Sequence, residues 1–353
     1  MVLDDYRKLT EAELRERILT KKSQMQQRLV ILGHHYQRDE VIEFADFRGD
    51  SFGLCQQAAQ QTAAQFIVFS GVHFMAEAAD IISRPDQIVQ LPDLTAGCPL
   101  ANFAELDDVQ LAWQQLTEIC GDTQITPITY INSSAEIKAF CGEHGGTVCT
   151  SSNALAAMQW GFQQSQRVLF FPDRHLGTNT ANQLGIPKEQ RIIWDPALPR
   201  GGNTIDQIEQ ARLILWNGYC HVHTWFNLNH IATIRNAFPT AKIVVHPECP
   251  EPVVNAADAA GSTSFIIKFV EQASTGSVIA IGTELNLVQR LAKTHPDKRI
   301  VPLARSLCPN MYKINLVNLC WTLEHLGEVN IVTVPELVKG YARIAIDRML
   351  QIK

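Results

Sequence analysis

The sequence predicts an α/β protein built from three copies of one unit. Three observations predict it: short apolar runs alternate with helical patterns, three of those runs end in similar polar clusters, and each unit then arrives at a cysteine. The runs are RLVILG (28–33), QFIVFSG (65–71), ITYIN (128–132), RVLFFPD (167–173), KIVVHP (242–247) and SVIAIGTE (277–284). Near-continuous Val, Ile, Leu and Phe between helical stretches indicates parallel strands covered on both faces. Ahead of them, Thr10 and Glu13 form a capping box that starts a helix over about residues 11–26.

The polar strand ends are His34-His35-Tyr36, Tyr130-Ile131-Asn132 and His246-Pro247-Glu248. A hydroxyl cluster opening a helix comes after each, at offsets of 17 (34 to 51), 21 (130 to 151) and 16 (246 to 262). A further strand ends near Gly71, Asp173 and Glu284, and the units reach Cys98, Cys220 and Cys308 at offsets of 64, 90 and 62. The longer middle offset comes from an extra segment, 196–210, whose Pro and Gly content suits a surface insertion. Ligand groups gather beyond the carboxyl ends of strands in open parallel sheets, so three such edges meeting at one point would make one shared site. The expected domains are 1–110, 111–218 and 219–329, with a C-terminal helix within 330–353 packing on the first.

Composition narrows the function. A chain of 353 residues suits two or three domains, and 46% apolar with 19% charged residues suits a well-buried enzyme. A formal charge of −6 and a pI near 6.0 argue against nucleic acid or an acidic membrane as partner. The charged N-terminal stretch has no apolar h-region, and no run approaches the roughly 18 apolar residues that span a bilayer. A cytoplasmic location is therefore expected. Nine cysteines in a reducing compartment read either as small buried apolar residues or as metal and redox chemistry. The absence of any CxxC pair removes zinc ribbons, thioredoxin-like sites and ferredoxin-like runs.

Cys98, Cys220 and Cys308 lie in LTAGCPLA, WNGYCHVH and RSLCPNM, where Gly and Pro mark loops. Three thiolates on one metal centre would leave a coordination position vacant, and an open metal polarises a hydroxyl or carbonyl oxygen for dehydration. Each hydroxyl cluster can be a plain N-cap, yet three at matching positions fit an anion-binding ring built on helix N-termini. No GxxxxGK[ST] is present, so no nucleotide P-loop is expected. His34, Tyr36, His223, His246 and Glu248 are the candidate proton carriers. Cys220-x-x-His223 with His221 or His246 keeps a zinc hydrolase or lyase open, and a metal-free anion-binding protein is the other alternative. Cys249 has no counterpart in the other units and is expected to stay off the metal.

The ordered motifs HHYQ, GDS, AGCPLA, TYINSS, CTSSNA, FFPDRHLG, GYCHVH, HPEC, GSTS, IGTE and LCPNM resemble those of the quinolinate synthase family, over residues 28–325. The resemblance implies three αβα sandwich domains, with short parallel sheets related by pseudo-threefold symmetry around a central active site. It also implies a transferase of NAD biosynthesis that condenses iminoaspartate with dihydroxyacetone phosphate to quinolinate, phosphate and two waters. A [4Fe–4S] cluster would be held by Cys98, Cys220 and Cys308, its fourth iron open to substrate. Tyr36, His246 and Glu248 would be catalytic, and His34, Ser51, Tyr130, Asn132, Ser151, His223, Ser262 and Thr263 would bind substrate. An aspartate oxidase or dehydrogenase could hand over the iminoaspartate. The chain departs from the pattern at His35, where Asn is expected, in the 196–210 segment, and in lacking a CxxC pair near the third cysteine.

Overall fold

The structure is a computed structural model and describes residues 2–352. The predicted capping box forms: Thr10 Oγ1 accepts the Glu13 N–H at 3.3 Å, and Glu13 Oε2 accepts the Thr10 N–H at 2.7 Å. The helix it starts, Glu11–Met25, buries Leu14, Ile18 and Met25.

The predicted strands form as parallel sheets flanked by helices. The first sheet contains β1 (Leu29–His34), β2 (Phe47–Gly49), β3 (Phe66–Ser70) and β4 (Ile88–Gln90), in the order β2-β1-β3-β4. The second contains β5 (Ile125–Tyr130), β6 (Thr147–Cys149), β7 (Arg167–Phe171), β8 (Arg191–Trp194) and β9 (Leu213–Trp216), in the order β6-β5-β7-β9-β8. The third contains β10 (Lys242–Val245), β11 (Ala259–Ala260), β12 (Val278–Gly282) and β13 (Arg299–Pro302), in the order β11-β10-β12-β13. Without β8 and a further edge strand of the first sheet, Ile331–Val332, one topology is repeated three times. All six residues of β1 and of β5 are buried, as strands covered on both faces require. The protein is α/β with three such sheets.

The chain forms two compact units. One runs to Cys98 and takes in Glu284–Arg290 and Leu307–Pro335; it holds the first sheet. The other comprises Pro99–Thr283, Leu291–Ser306 and the segment from Glu336 onward, and holds the second and third sheets.

Three expectations need correction. The extra segment of the middle repeat is more than a surface loop at 196–210. It includes the edge strand β8, a tight turn at Pro199–Gly202 and a helix at Ile205–Gln210. Gly201 makes that turn at φ +63°, where a Cβ would stand 2.4 Å from the Trp194 ring, so only glycine fits. Register also shifts the repeat alignment by one residue. His34 pairs with Gly49 and Tyr130 with Cys149, which places Ser51 and Ser151 two residues beyond the pair. Val245 pairs with Ala260, so the residue two beyond the His246 level is Thr263, not Ser262.

The third correction concerns the C-terminus. Ile331–Val332 does join the first sheet, as the antiparallel strand β14 beside β4. The helix Glu336–Gln351 instead packs on the helix Ala135–Glu143 and on β6. Ala342 and Ala345 give it a narrow buried face, Thr147 Oγ1 donates to the Ala345 carbonyl at 3.3 Å, and Gly142 lies against the Tyr341 backbone. Small residues facing a glycine let two helices approach closely, a fit that hydropathy does not reveal. A Cβ at Gly142 would lie 1.9 Å from the Tyr341 carbonyl oxygen. Gly142→Ala is expected to cost about 1–3 kcal/mol or more, read as a lower denaturation midpoint; an unchanged midpoint would mean the helix docks elsewhere.

Candidate active site

In the second unit, the end of β5 and the turn just past β10 deliver polar residues to one buried cluster. Tyr130, last in β5, donates its hydroxyl to Glu248 Oε1 at 2.5 Å. His223 Nδ1 meets Glu248 Oε2 at 2.7 Å, and its Nε2 meets Thr283 Oγ1 at 3.1 Å. The His246 ring stacks on His223 with centroids 4.3 Å apart and planes 16° apart. All four of Tyr130, His223, His246 and Glu248 are buried. Burial pushes the Glu248 carboxyl up, but His223 and His246, with the hydrogen bonds from His223 and Tyr130, outweigh it and hold the carboxyl below its ordinary range. Cys220 completes the group: donor atoms of Cys220, His223 and Glu248 lie within 4.8 Å of one another.

Asn132, two residues beyond β5, is half-buried, and its Oδ1 is a buried acceptor with no donor. Ser151 and Ser262 line one cleft of about 390 Å³, together with Ser152, Ser264 and Lys268. Two of the three predicted hydroxyl clusters thus face a common space. Lys268 carries no motif signal, because only the helix that starts at Thr263 turns it toward that space. Ser262 caps this helix, accepting the Phe265 N–H at 3.3 Å, and Thr263 is its first residue. Correspondingly, Asp50 caps the helix Ser51–Gln60 through the Gly53 N–H at 2.9 Å, leaving Ser51 as first residue.

In the first unit, β1 ends on His34, whose ring meets Tyr36 edge-on at 4.7 Å. His34 Nδ1 accepts the Tyr36 N–H at 3.2 Å, as His246 Nδ1 accepts the Glu248 N–H at 3.4 Å. The repeat therefore extends to the orientation of its histidines. Asn286 donates to the Tyr36 carbonyl at 3.0 Å and accepts from the Tyr312 hydroxyl at 3.0 Å. Arg290 holds the same loop through the His35 carbonyl and Asp39, at 2.9 and 3.0 Å.

The cysteines divide by environment. Cys55, Cys141, Cys149, Cys249 and Cys320 are buried, whereas Cys98, Cys220, Cys308 and Cys120 are partly exposed, and among the described residues no disulfide links any of them. Burial raises the thiols of Cys141 and Cys249 well above the ordinary range, which suits packing rather than ligation. Cys249 packs in an apolar cluster with Ile243, Val245 and Ala280. Burial raises Cys308 too, but the N–H groups of Met311 and Asn310 face its sulfur and oppose the shift. Partly exposed thiols are the donors an iron–sulfur cluster takes, so Cys98, Cys220 and Cys308 fit one by residue type and exposure.

Two further carboxylates went unrecognised as site residues in the sequence. Asp173 and Glu284 are fully buried at the starts of the helices Arg174–Gln183 and Leu285–Thr294. Burial and the nearby Glu248 push Asp173 well up, against the N–H groups of His175, Leu176 and Cys220. Burial pushes Glu284 up to about 8, against the N–H groups of Asn286, Cys308 and Leu287.

The sequence profile described as Quinolinate synthetase A protein matches residues 16–351. Curated relatives are similar along nearly the whole chain. A quinolinate synthase of Corynebacterium glutamicum is 49% identical over 99% of this chain and 90% of its own length. One of Halalkalibacterium halodurans is 49% identical over 98% and 95%, and one of Rhodopirellula baltica 48% identical over 99% and 94%.

His35, where the resemblance leads one to expect Asn, offers a test of the first unit. Burial, with repulsion from Arg290 and Arg48, outweighs the pull of Asp50 and lowers its pKa from 6.5 to about 4. The folded state thus prefers the neutral ring. Its contribution to stability is complete above pH 6.5 and is lost as pH falls through about 4. The denaturation midpoint should therefore drop between neutral and acid pH, and drop less in His35→Asn. Equal acid losses in both proteins would place the titration elsewhere.

Proposed function

The chain belongs to the quinolinate synthetase A family of NAD-biosynthetic enzymes, and from that premise we propose that it condenses iminoaspartate with dihydroxyacetone phosphate to quinolinate, phosphate and two waters. The observation that carries this reading is the buried Tyr130–Glu248–His223 cluster beside Cys220. A cyclodehydration needs proton carriers next to an electrophilic centre, and that cluster supplies them.

Cys98, Cys220 and Cys308 would hold a [4Fe–4S] cluster, and Lewis-acid polarisation of the oxygens lost as water is the chemistry it would supply. The remaining work falls to side chains. Glu248 takes protons at its carboxylate, and Tyr130 and His223 keep it charged until it does so. Tyr36 and His246 share the proton transfers of carbonyl–enol isomerisation, imine closure and dehydration. His34 and His223 orient the substrate, and the unpartnered Asn132 Oδ1 accepts from one of its donors. Ser51, Ser151, Ser262 and Thr263, at or next to helix N-termini, hold the carboxylates and the phosphate. Excluding water from a cluster this buried strengthens each of these polar contacts. A cytoplasmic location suits reduced thiols, and an aspartate oxidase or dehydrogenase is the natural source of the unstable imine.

The grouping of Cys220, His223 and Glu248 also favours a mononuclear zinc reading, with Glu248 in place of the expected His246. Against it, His223 and Glu248 already satisfy each other at 2.7 Å. Anaerobic purification separates the two: ~4 irons and ~4 sulfides per chain support the cluster, and a single zinc supports the alternative. An assay for quinolinate from the two substrates tests the activity itself. Cys98→Ser should bleach the protein and Cys120→Ser should not; the reverse would overturn the ligand assignment. Glu248→Gln should lower turnover by about 10²-fold or more with iron content intact, and full turnover would remove Glu248 from proton transfer.

A further inference from the structure

Each repeat places two residues between its third strand and the helix beyond it, the second being Val72 before His73–Ile82, Asp173 before Arg174–Gln183, and Glu284 before Leu285–Thr294. The two carboxylates face equivalent backbone amides. Asp173 Oδ1 accepts the N–H groups of His175 and Leu176, both at 2.8 Å, and its Oδ2 accepts that of Cys220 at 3.2 Å. Glu284 Oε2 accepts the Asn286 N–H at 2.7 Å and its Oε1 the Asn286 side-chain N–H at 3.2 Å, and the N–H groups of Leu287 and Cys308 face the carboxylate and oppose its upward shift. In both repeats the partners are the second and third residues after the carboxylate, plus the amide of the repeat's own cysteine.

Capping alone does not explain this arrangement. A helix N-terminus is capped as well by Ser or Thr, at no cost of burying a charge. The added element is the cysteine amide: Asp173 Oδ2 reaches that of Cys220, 47 residues away (173 to 220), and that of Cys308, 24 residues away (284 to 308), faces the Glu284 carboxylate. The first repeat has Val72 at this position, and there a backbone bond ties the loop: the His73 N–H donates to the Ala96 carbonyl at 2.8 Å, two residues before Cys98. The second repeat keeps the matching bond, Arg174 N–H to the Gly218 carbonyl at 2.9 Å, and adds the carboxylate.

We propose that Asp173 and Glu284 are positioning residues that fasten the main chain of Cys220 and Cys308 to a helix N-terminus and so aim both thiolates at the metal cluster. This rests on the reading that Cys98, Cys220 and Cys308 are its ligands. Bonds from a carboxyl group to a backbone amide hold a ligand loop in place before metal arrives, as outer-shell partners do at other metal sites.

The test uses the full chain, reconstituted anaerobically with iron and sulfide. Asp173→Ser keeps a cap but cannot reach Cys220, Asp173→Asn keeps the shape but loses an acceptor oxygen, and Glu284→Gln does the same in the other unit. All three should assemble a cluster yet release its iron to a chelator about 10–100-fold faster than wild type, with a shifted spectrum of the reduced cluster. Metal-free Asp173→Ser should melt as the metal-free wild type does; if it does not fold, Asp173→Asn decides. Release at the wild-type rate with an unchanged spectrum would overturn the proposal, as would a loss of metal-free stability without any change at the cluster. A wild type that binds no iron, or a Cys220→Ser variant that keeps a full cluster, would instead remove the ligand assignment on which the proposal stands.

Discussion

A parallel strand buried on both faces can carry reactive side chains only where it ends, and that constraint orders both units of this protein. β1, β5 and β10 are inaccessible along almost their whole length, and the candidate site residues come at His34, at Tyr130 and just past Val245. Beyond each end come a helix, a short second strand and the start of another helix, so polar groups and free N–H donors accumulate at one edge of each sheet. The repeated order of strands, second-first-third-fourth, brings the cysteine loop after the fourth strand to that same edge.

Burying so many polar groups is costly unless each is paired, and the pairing separates the carboxylates by role. Glu248 faces imidazoles and a phenol, which stabilise its charge and surround it with groups that exchange protons. Asp173 and Glu284 face backbone amides, which offset burial only in part and leave both carboxyls raised. The first environment suits proton transfer and the second suits fastening a loop. Three acidic groups of similar chemistry thus divide by what surrounds them.

The additions to the repeated topology lie at sheet edges. β8 extends the second sheet beyond β9, and β14 extends the first beyond β4. Edge strands can be gained without disturbing the register of inner ones, so the residues that reach the site keep their levels. The C-terminal helix obeys the same logic, covering a helix and the edge strand β6 rather than the cluster itself.

Much of this was legible in the amino-acid order, because strand burial, turn residues and repeated polar ends are local properties. Apolar runs located the inner strands, and matching offsets selected Cys98, Cys220 and Cys308 from nine cysteines. Those three prove to be among the four that are partly exposed. Tertiary structure decided the rest. Whether Ser262 or Thr263 matches Ser51 depends on strand register, which pairs chains distant in sequence. The seat of the C-terminal helix depends on the close approach of Gly142 to Tyr341, residues with no pattern in common. Asp173 and Glu284 read as ordinary strand ends until folding brings a cysteine amide against each. Sequence determined which residues could do chemistry, since that depends on residue type and local pattern; only folding determined which of them meet, since hydrogen bonds and packing act over distances in space and not along the chain.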